Sequence, residues 1–306
     1  MEKLLQWSTA QQSDDPEVRS RAPAPDPKIL AQVLGANTGK DESTLMKEDI
    51  SVLVCDDPRI TVDDKLTALE DFEMLVQNLD NANNISPMGI WPEIAKLYTY
   101  EGEEQDEFRG LGALITGTAV QNNTKCQNDF LKNVGSKGIK DLLELSKSGA
   151  KNTRARALYA LSGLVAHNGE IYKLFVDVNG WEFLTSILSQ NFEDNREDRK
   201  LLLRCLGLLK SLIYDEITEE NKEATSSRAD RFELVNKFDL VNIIAKYLFN
   251  DVHFDIKERV ANILGYLSQH GYKFTESESD NVKKNLATTD KESINQEDYK
   301  HLSQFL

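Results

Sequence analysis

The 306 residues carry 51 acidic against 36 basic side chains. The resulting formal net charge of −15 disfavours nucleic acid and anionic membrane surfaces, which both require a basic face, and leaves open a partner with basic patches. The length suits two ordinary domains or one extended repeat array, and Cys55, Cys126 and Cys205, an odd number without partners at metal-ligand spacing, read as small buried hydrophobes in a reducing compartment.

The opening stretch MEKLLQWSTAQQSDD has only Leu4, Leu5 and Trp7 before polar residues take over, too little apolar length for a signal peptide. No run approaches the roughly 18 apolar residues of a membrane span, so a cytosolic chain is expected, with the nucleus also open. Residues 8 to 43 hold Pro16, Pro23, Pro25 and Pro27 among Ser, Asp, Gly and Gln, and cannot bury enough apolar surface to offset their ordering entropy. A flexible N-terminal segment over residues 1–43 is predicted. It carries one apolar cluster at Leu4, Leu5 and Trp7 and a second, at helical spacing, at Ile29, Leu30, Val33 and Leu34. Each is a short helix docked on the core, a chance cluster or a binding element.

From Ser43 onward the pattern is helical, without hairpin dipeptides in the right context. Ser43-Thr44-Leu45 opens a helix with apolar Leu45, Ile50, Leu53 and Val54. Thr61-Val62-Asp63-Asp64 then reads as an N-terminus with acids in its first turn, followed by a core stripe through Leu66, Leu69, Phe72, Leu75, Val76 and Leu79. Asn78 to Ile85 packs four asparagines into eight residues, more than a helix stop requires. The phrase echoes: Val76-Gln77-Asn78 is followed 44 residues on by Val120-Gln121-Asn122-Asn123, and 45 beyond that by Val165-Ala166-His167-Asn168.

Later units keep the same internal order. Leu111 to Asn123, then Asn128 to Val134, then Gly138 to Leu145 form one. Ala157 to Asn168, Glu170 to Val178 and Gly180 to Leu188 form the next. Gly138 and Gly180 are expected to sit in the turns between second and third helices, where a tight turn needs positive φ. A fourth unit begins at Lys200 and carries a polar insertion, Thr218 to Ala229; a fifth runs from Ile256 to His270. Three-helix units of this length are the armadillo/HEAT signature, because stacking buries faces that each unit alone would expose. The predicted fold is all-α, an armadillo-repeat right-handed superhelix of about four repeats: residues 44–270 as core, 271–306 as C-terminal capping helices.

Catalytic chemistry is poorly supplied. His167, His253, His270 and His301 are scattered at or near helix ends and read as surface or capping groups. The acidic run Glu101 to Glu107 lacks the ligand register of a calcium loop, and no Walker A or dinucleotide-binding glycine pattern is present. No catalytic residue, metal site or cofactor is expected. Armadillo importins read basic peptides with tryptophans followed four residues later by asparagine; here Ala95 follows Trp91 and Thr185 follows Trp181, which argues against that use.

The phrases MEKLLQWS, DPKIL, TLMKE, FEMLVQNLDNANNI, GTAVQNN and ALYALSGL together carry a resemblance. The chain resembles the fungal Fes-type, or heat-shock-protein-binding-protein type, armadillo nucleotide exchange factors of cytosolic seventy-kilodalton heat-shock chaperones. The polar insertion of the fourth unit and the loosely matching C-terminal part depart from it. The resemblance implies a monomer whose armadillo face grips one lobe of the chaperone's nucleotide-binding domain and releases ADP. It also implies that the N-terminal segment, through Leu4, Leu5 and Trp7, competes with client at the substrate-binding domain. Neither nucleic acid nor membrane is an implied partner. Matched to the family's contact positions are Ala82 and Arg204, with Asn81, Asn83 and Asn84 beside Ala82. Helix capping is the alternative reading of those asparagines, and a repeated turn within the fold is the alternative for Gln121, Asn122 and Asn123. An adaptor of the same fold without exchange activity is the competing function.

Overall fold

A computed structural model describes residues 40–214, 228–249, 252–289 and 294–305. The calls made for Leu4, Leu5, Trp7 and the rest of residues 1–39, and most of the 218–229 insertion, lie outside the described residues. The chain divides into two compact units, Met1–Glu48 and Asp49–Leu306, the boundary falling inside the first described helix, α1 (Glu42–Leu53). In the first unit, the Asp41 carboxylate accepts from the Thr44 backbone N–H at 2.8 Å and from its hydroxyl at 3.0 Å, and so fixes the start of α1.

The second unit is built of successive helix triplets, and no strand occurs among the described residues. The first triplet is α2 (Val62–Val76), α3 (Leu79–Asn84) and α4 (Trp91–Leu97), the second α5 (Gln105–Val120), α6 (Thr124–Asn133) and α7 (Gly135–Ser148). Next come α8 (Lys151–Val165), α9 (Gly169–Asp177) and α10 (Gly180–Leu188). The fourth triplet is α11 (Arg196–Ile213), α12 (Arg228–Lys237) and α13 (Leu240–Ala245), which tightens into a 3₁₀ turn; α14 (Phe254–Gln269), α15 (Glu276–Leu286) and α16 (Gln296–Phe305) close the array. The first helix of each triplet packs on the first helix of the next, from α2 through α5, α8 and α11 to α14.

Small residues set how closely these helices approach. A Cβ on Gly117 would overlap the Tyr159 ring, and one on Gly163 would lie 3.0 Å from Val120 Cγ2, so α5 and α8 meet where neither backbone carries bulk. Further bonds tie neighbouring triplets. The Gln127 amide, buried on α6, donates to the carbonyls of Gly163 at 2.7 Å and Ala166 at 3.0 Å, satisfying acceptors at the end of α8.

The recurring asparagine phrase has a local cause. Asn78 accepts from the Asp80 N–H at 2.9 Å, Asn123 from Cys126 N–H at 3.1 Å and Asn168 from Ile171 N–H at 3.1 Å, so each caps the second helix of its triplet. Just before the last two caps, Asn122 and His167 take left-handed backbone (φ 49° and 57°).

Two expected turn glycines are corrected. Gly138 lies within α7 and Gly180 is the first residue of α10, while the positive φ falls on Gly135 (67°) and Asn179 (59°). Gly138 and Gly180 serve packing: an added Cβ would overlap Val134 at the first and the Phe175 ring at the second.

Candidate functional site

Along the first helices of the second to fifth triplets runs a groove of about 1680 Å³. It starts at Gln121 and Asn122, past the end of α5, and crosses α8 at Tyr159, Ser162 and Gly163. It follows α11 from Arg196 to Lys210 and Tyr214, and ends on α14 and α16. The lining of α11 repeats at helical spacing, with Arg196, Arg199, Lys200, Leu203, Arg204 and Gly207 on one face. The opposite side of the same helix, from Leu201 and Leu202 through Cys205 to Leu209, is buried in the core.

Here the charge of the chain reverses. The lining contributed by α11 holds four cations besides Lys210, and no acid lines the groove between Gln121 and Tyr214. Within a chain of net charge −15 this stretch of the groove presents basic side chains, a sorting that the net charge, which left open a partner with basic patches, did not show. Net charge sums over the whole surface and does not report how repeat stacking sorts it.

Arg204 is half-buried, its guanidinium 4.4 Å from the centre of the Tyr159 ring on α8. Burial and the nearby Arg259 charge both hold its pKa down, against the Tyr159 contribution. Lys200 Nζ donates to Asn152 Oδ1 at 2.6 Å, and burial followed by repulsion from Arg156, Arg204 and Arg196 lowers its pKa. Of this group Arg156 has an ion partner, Glu107, at 2.7 Å. The start of α11 is fixed from below. Asn195 caps it by accepting from Asp198 N–H at 2.9 Å, and the buried Asp198 carboxylate pairs with Lys151 of α8 at 2.7 Å.

At the other end of the groove, Tyr214 stacks on Tyr266 with centroids 3.8 Å apart, and Tyr266 on His270 at 3.9 Å. The Tyr214 hydroxyl donates to Asn262 Oδ1 at 3.1 Å, which also accepts from Lys210 Nζ at 2.9 Å. Tyr214 is pushed up by burial and by the Asp298 and Tyr266 charges.

The structure brings Gln121, Asn122 and Arg204 onto this one groove. It does not bring Asn81, Ala82, Asn83, Asn84 or Asn123 there. Asn81 and Ala82 are 5% and 2% exposed: the Asn81 amide donates to Leu75 O at 2.9 Å, and the Ala82 carbonyl accepts from the Cys126 thiol at 3.1 Å. Asn123 is buried by its capping bond and a second one to Ala119 O. Asn81, Ala82 and Asn123, expected at the partner surface, are thus almost fully buried in the folded chain. Asn83 and Asn84 are half-exposed outside the groove lining, and the Asn83 carbonyl accepts from Lys125 Nζ at 3.0 Å.

The residues not singled out from the sequence are Arg196, Arg199, Lys200, Lys210, Tyr159 and Tyr266. The four cations among them lie on α11, where their signal was three- and four-residue spacing opposite a leucine face. Trp91 and Trp181 are buried in the core, not displayed on a binding face. Among the described residues no cluster of metal-ligating side chains occurs, and no helix is long and apolar enough to cross a membrane.

Residues 1–85 match the family model described as nucleotide exchange factor Fes1. Over its whole length the chain is 35% identical to the Hsp70 nucleotide exchange factor FES1 of Eremothecium gossypii, covering 100% of both chains. The chain belongs to the Fes1 family. The protein of the same description from Saccharomyces cerevisiae is 34% identical, covering 98% of each chain, and that from Candida glabrata 37%, covering 98% of this chain and 97% of the other. Among solved structures, a designed armadillo repeat protein in complex with a (KR)4 peptide matches with TM-score 0.62 over 85% of this chain and 98% of that one. An engineered protein matches with the same score over 87% and 98%. At 9% and 16% identity these likenesses establish the fold alone, and the armadillo expectation holds for this Fes1-family chain.

Proposed function

We propose that this chain is a nucleotide exchange factor of Hsp70: it binds the chaperone's nucleotide-binding domain through the groove along α5, α8, α11 and α14 and speeds ADP release, so that ATP rebinding frees the client. The observation that carries the reading is full-length similarity to relatives named Hsp70 nucleotide exchange factor, in a chain with a groove that collects Gln121, Asn122 and Arg204. An exchange factor acts by binding the open, nucleotide-poor chaperone more tightly than the closed, ADP-bound one, because only differential affinity shifts a population. A stacked helical array suits that role. Its first helices meet closely at Gly117 and Gly163, and Gln127 of α6 ties its triplet to the end of α8, so the groove offers a stiff template and the chaperone lobe adjusts to it.

Chemistry on the nucleotide is left to the chaperone, and the chain acts as a cytosolic monomer without a cofactor of its own. The N-terminal segment, with Leu4, Leu5 and Trp7, occupies the chaperone's substrate-binding site and blocks client recapture.

Release of fluorescent ADP from a purified cytosolic Hsp70 tests the reading. Addition of the chain should raise the release rate in proportion to complex formed. A stable complex with an unchanged rate would replace exchange factor by adaptor. Removal of residues 1–40 should keep ADP release and slow client liberation; loss of ADP release on that removal would refute the assignment of the segment.

A further inference from the structure

The groove is not uniformly basic. From Gln121 to Tyr214, its lining carries Arg196, Arg199, Lys200, Arg204 and Lys210 and no acid. Beyond Tyr214 the balance inverts, with Asp255, Glu258 and Asp298 of α14 and α16 against Arg228 of α12 and Arg259 of α14. These two sides face the same opening from packed helices, whose axes in general lie about 8–10 Å apart. On the basic side, Arg196, Arg199 and Arg204 have no ion partner among the described residues, and Lys200 has Asn152 but no carboxylate. Like charges converging without a counterion are a standing repulsion that an anion at this place relieves.

We infer that the groove reads a dipolar face, an acidic patch seated on α11 beside a basic side chain seated on α14, and that this order of charges fixes the register in which the chaperone docks. The inference rests on the exchange-factor reading and adds the chemistry of the partner surface. A uniform polyanion such as single-stranded RNA fits less well. It would have to cross the Asp255, Glu258 and Asp298 side and approach a chain of net charge −15. A protein surface of mixed sign meets both halves, and complementarity of this kind contributes to register and association rate more than to raw affinity.

The sign of one substitution decides the matter. Arg199→Glu with Lys200→Glu should weaken binding to Hsp70 roughly tenfold or more and flatten its salt dependence, with helical circular dichroism unchanged. Glu258→Lys adds a cation to a basic groove, yet it should weaken binding as well, roughly threefold to tenfold, because it repels the partner's basic side chain. Tighter binding by Glu258→Lys would overturn the dipolar reading, as would an unaffected Arg199→Glu/Lys200→Glu double variant. Binding of the wild-type chain to a single-stranded oligo-uridine probe as tight as binding to Hsp70 would also overturn it. Wild-type acceleration of ADP release is scored separately, so the exchange-factor reading stands or falls on its own measurement.

Discussion

The Arg204 guanidinium lies 4.4 Å from the centre of the Tyr159 ring, and that ring occupies the space left by the missing side chain of Gly117. Three successive first helices therefore cooperate to place one cation: α5 gives room, α8 supplies the aromatic face and α11 carries the charge.

Two substitutions test the relay. Gly117→Ala should cost about 1–3 kcal/mol as the ring is pushed aside, read as a lower urea midpoint, and should weaken chaperone binding without touching a groove cation. Tyr159→Leu should weaken binding about two- to fivefold, the worth of a cation–π contact still partly open to water. In the double variant the two costs should fall short of their sum, since leucine no longer fills the contested space. Full additivity would mean that the glycine and the cation are independent.

Asp198 gives a pH dependence. Burial raises its pKa, but the bonds from Lys151, the Glu193 N–H and Asn195 outweigh it and leave the carboxyl below its ordinary value of 3.8. A depressed folded-state pKa contributes stability that is present above the unfolded value and lost as pH falls through the folded one. Asp198→Asn should therefore lower the melting temperature at pH 7. The difference from wild type should shrink below pH 4 and vanish once the native carboxyl is protonated. An unchanged gap at pH 2 would show that the loss is steric.

Gln127 is buried and serves two carbonyls of the next triplet, whereas exposed Asn128 makes one side-chain bond, to Asn168. Gln127→Ala should cost about 1–3 kcal/mol by leaving those acceptors unpaired, and Asn128→Ala well under 1 kcal/mol. Denaturant midpoints of the two variants check the order.

The thiols report the packing directly. Cys126 and Cys205 are buried, and burial pushes their pKa values up to about 11 and about 12. A thiol reagent at pH 8 should modify Cys55 in the native chain and all three cysteines after unfolding, as counted by mass spectrometry.

Ala82→Arg should lower stability by about 1–3 kcal/mol or more, because Ala82 is 2% exposed and its carbonyl is held by the Cys126 thiol. An unchanged urea midpoint with lost chaperone binding would return Ala82 to the surface.

Helix spacing, the period near 45 residues and the capping chemistry of Asn78, Asn123 and Asn168 were written locally, and local signals of that kind name an armadillo array without any structure. Of the asparagines around Ala82, Asn81 is buried and donates to the Leu75 carbonyl while Asn83 and Asn84 are half-exposed, and an amide that satisfies a buried carbonyl looks, in a sequence, like an amide offered to a partner. Gly138 and Gly180 misled in the same way, since a residue without a side chain serves a turn or a close approach equally well, and only the neighbours at Val134 and Phe175 distinguish the two. What tertiary structure alone decided is the sorting of charge. Arg196, Arg199, Lys200 and Arg204 share a helix face that the sequence can show. That this face opens on a groove with Gln121, Asn122 and Tyr159 on one side and Glu258 and Asp298 on the other depends on contacts between residues far apart in the chain. A net charge of −15 is a sum over all of them, and a binding surface is made by where the stacked helices place each one.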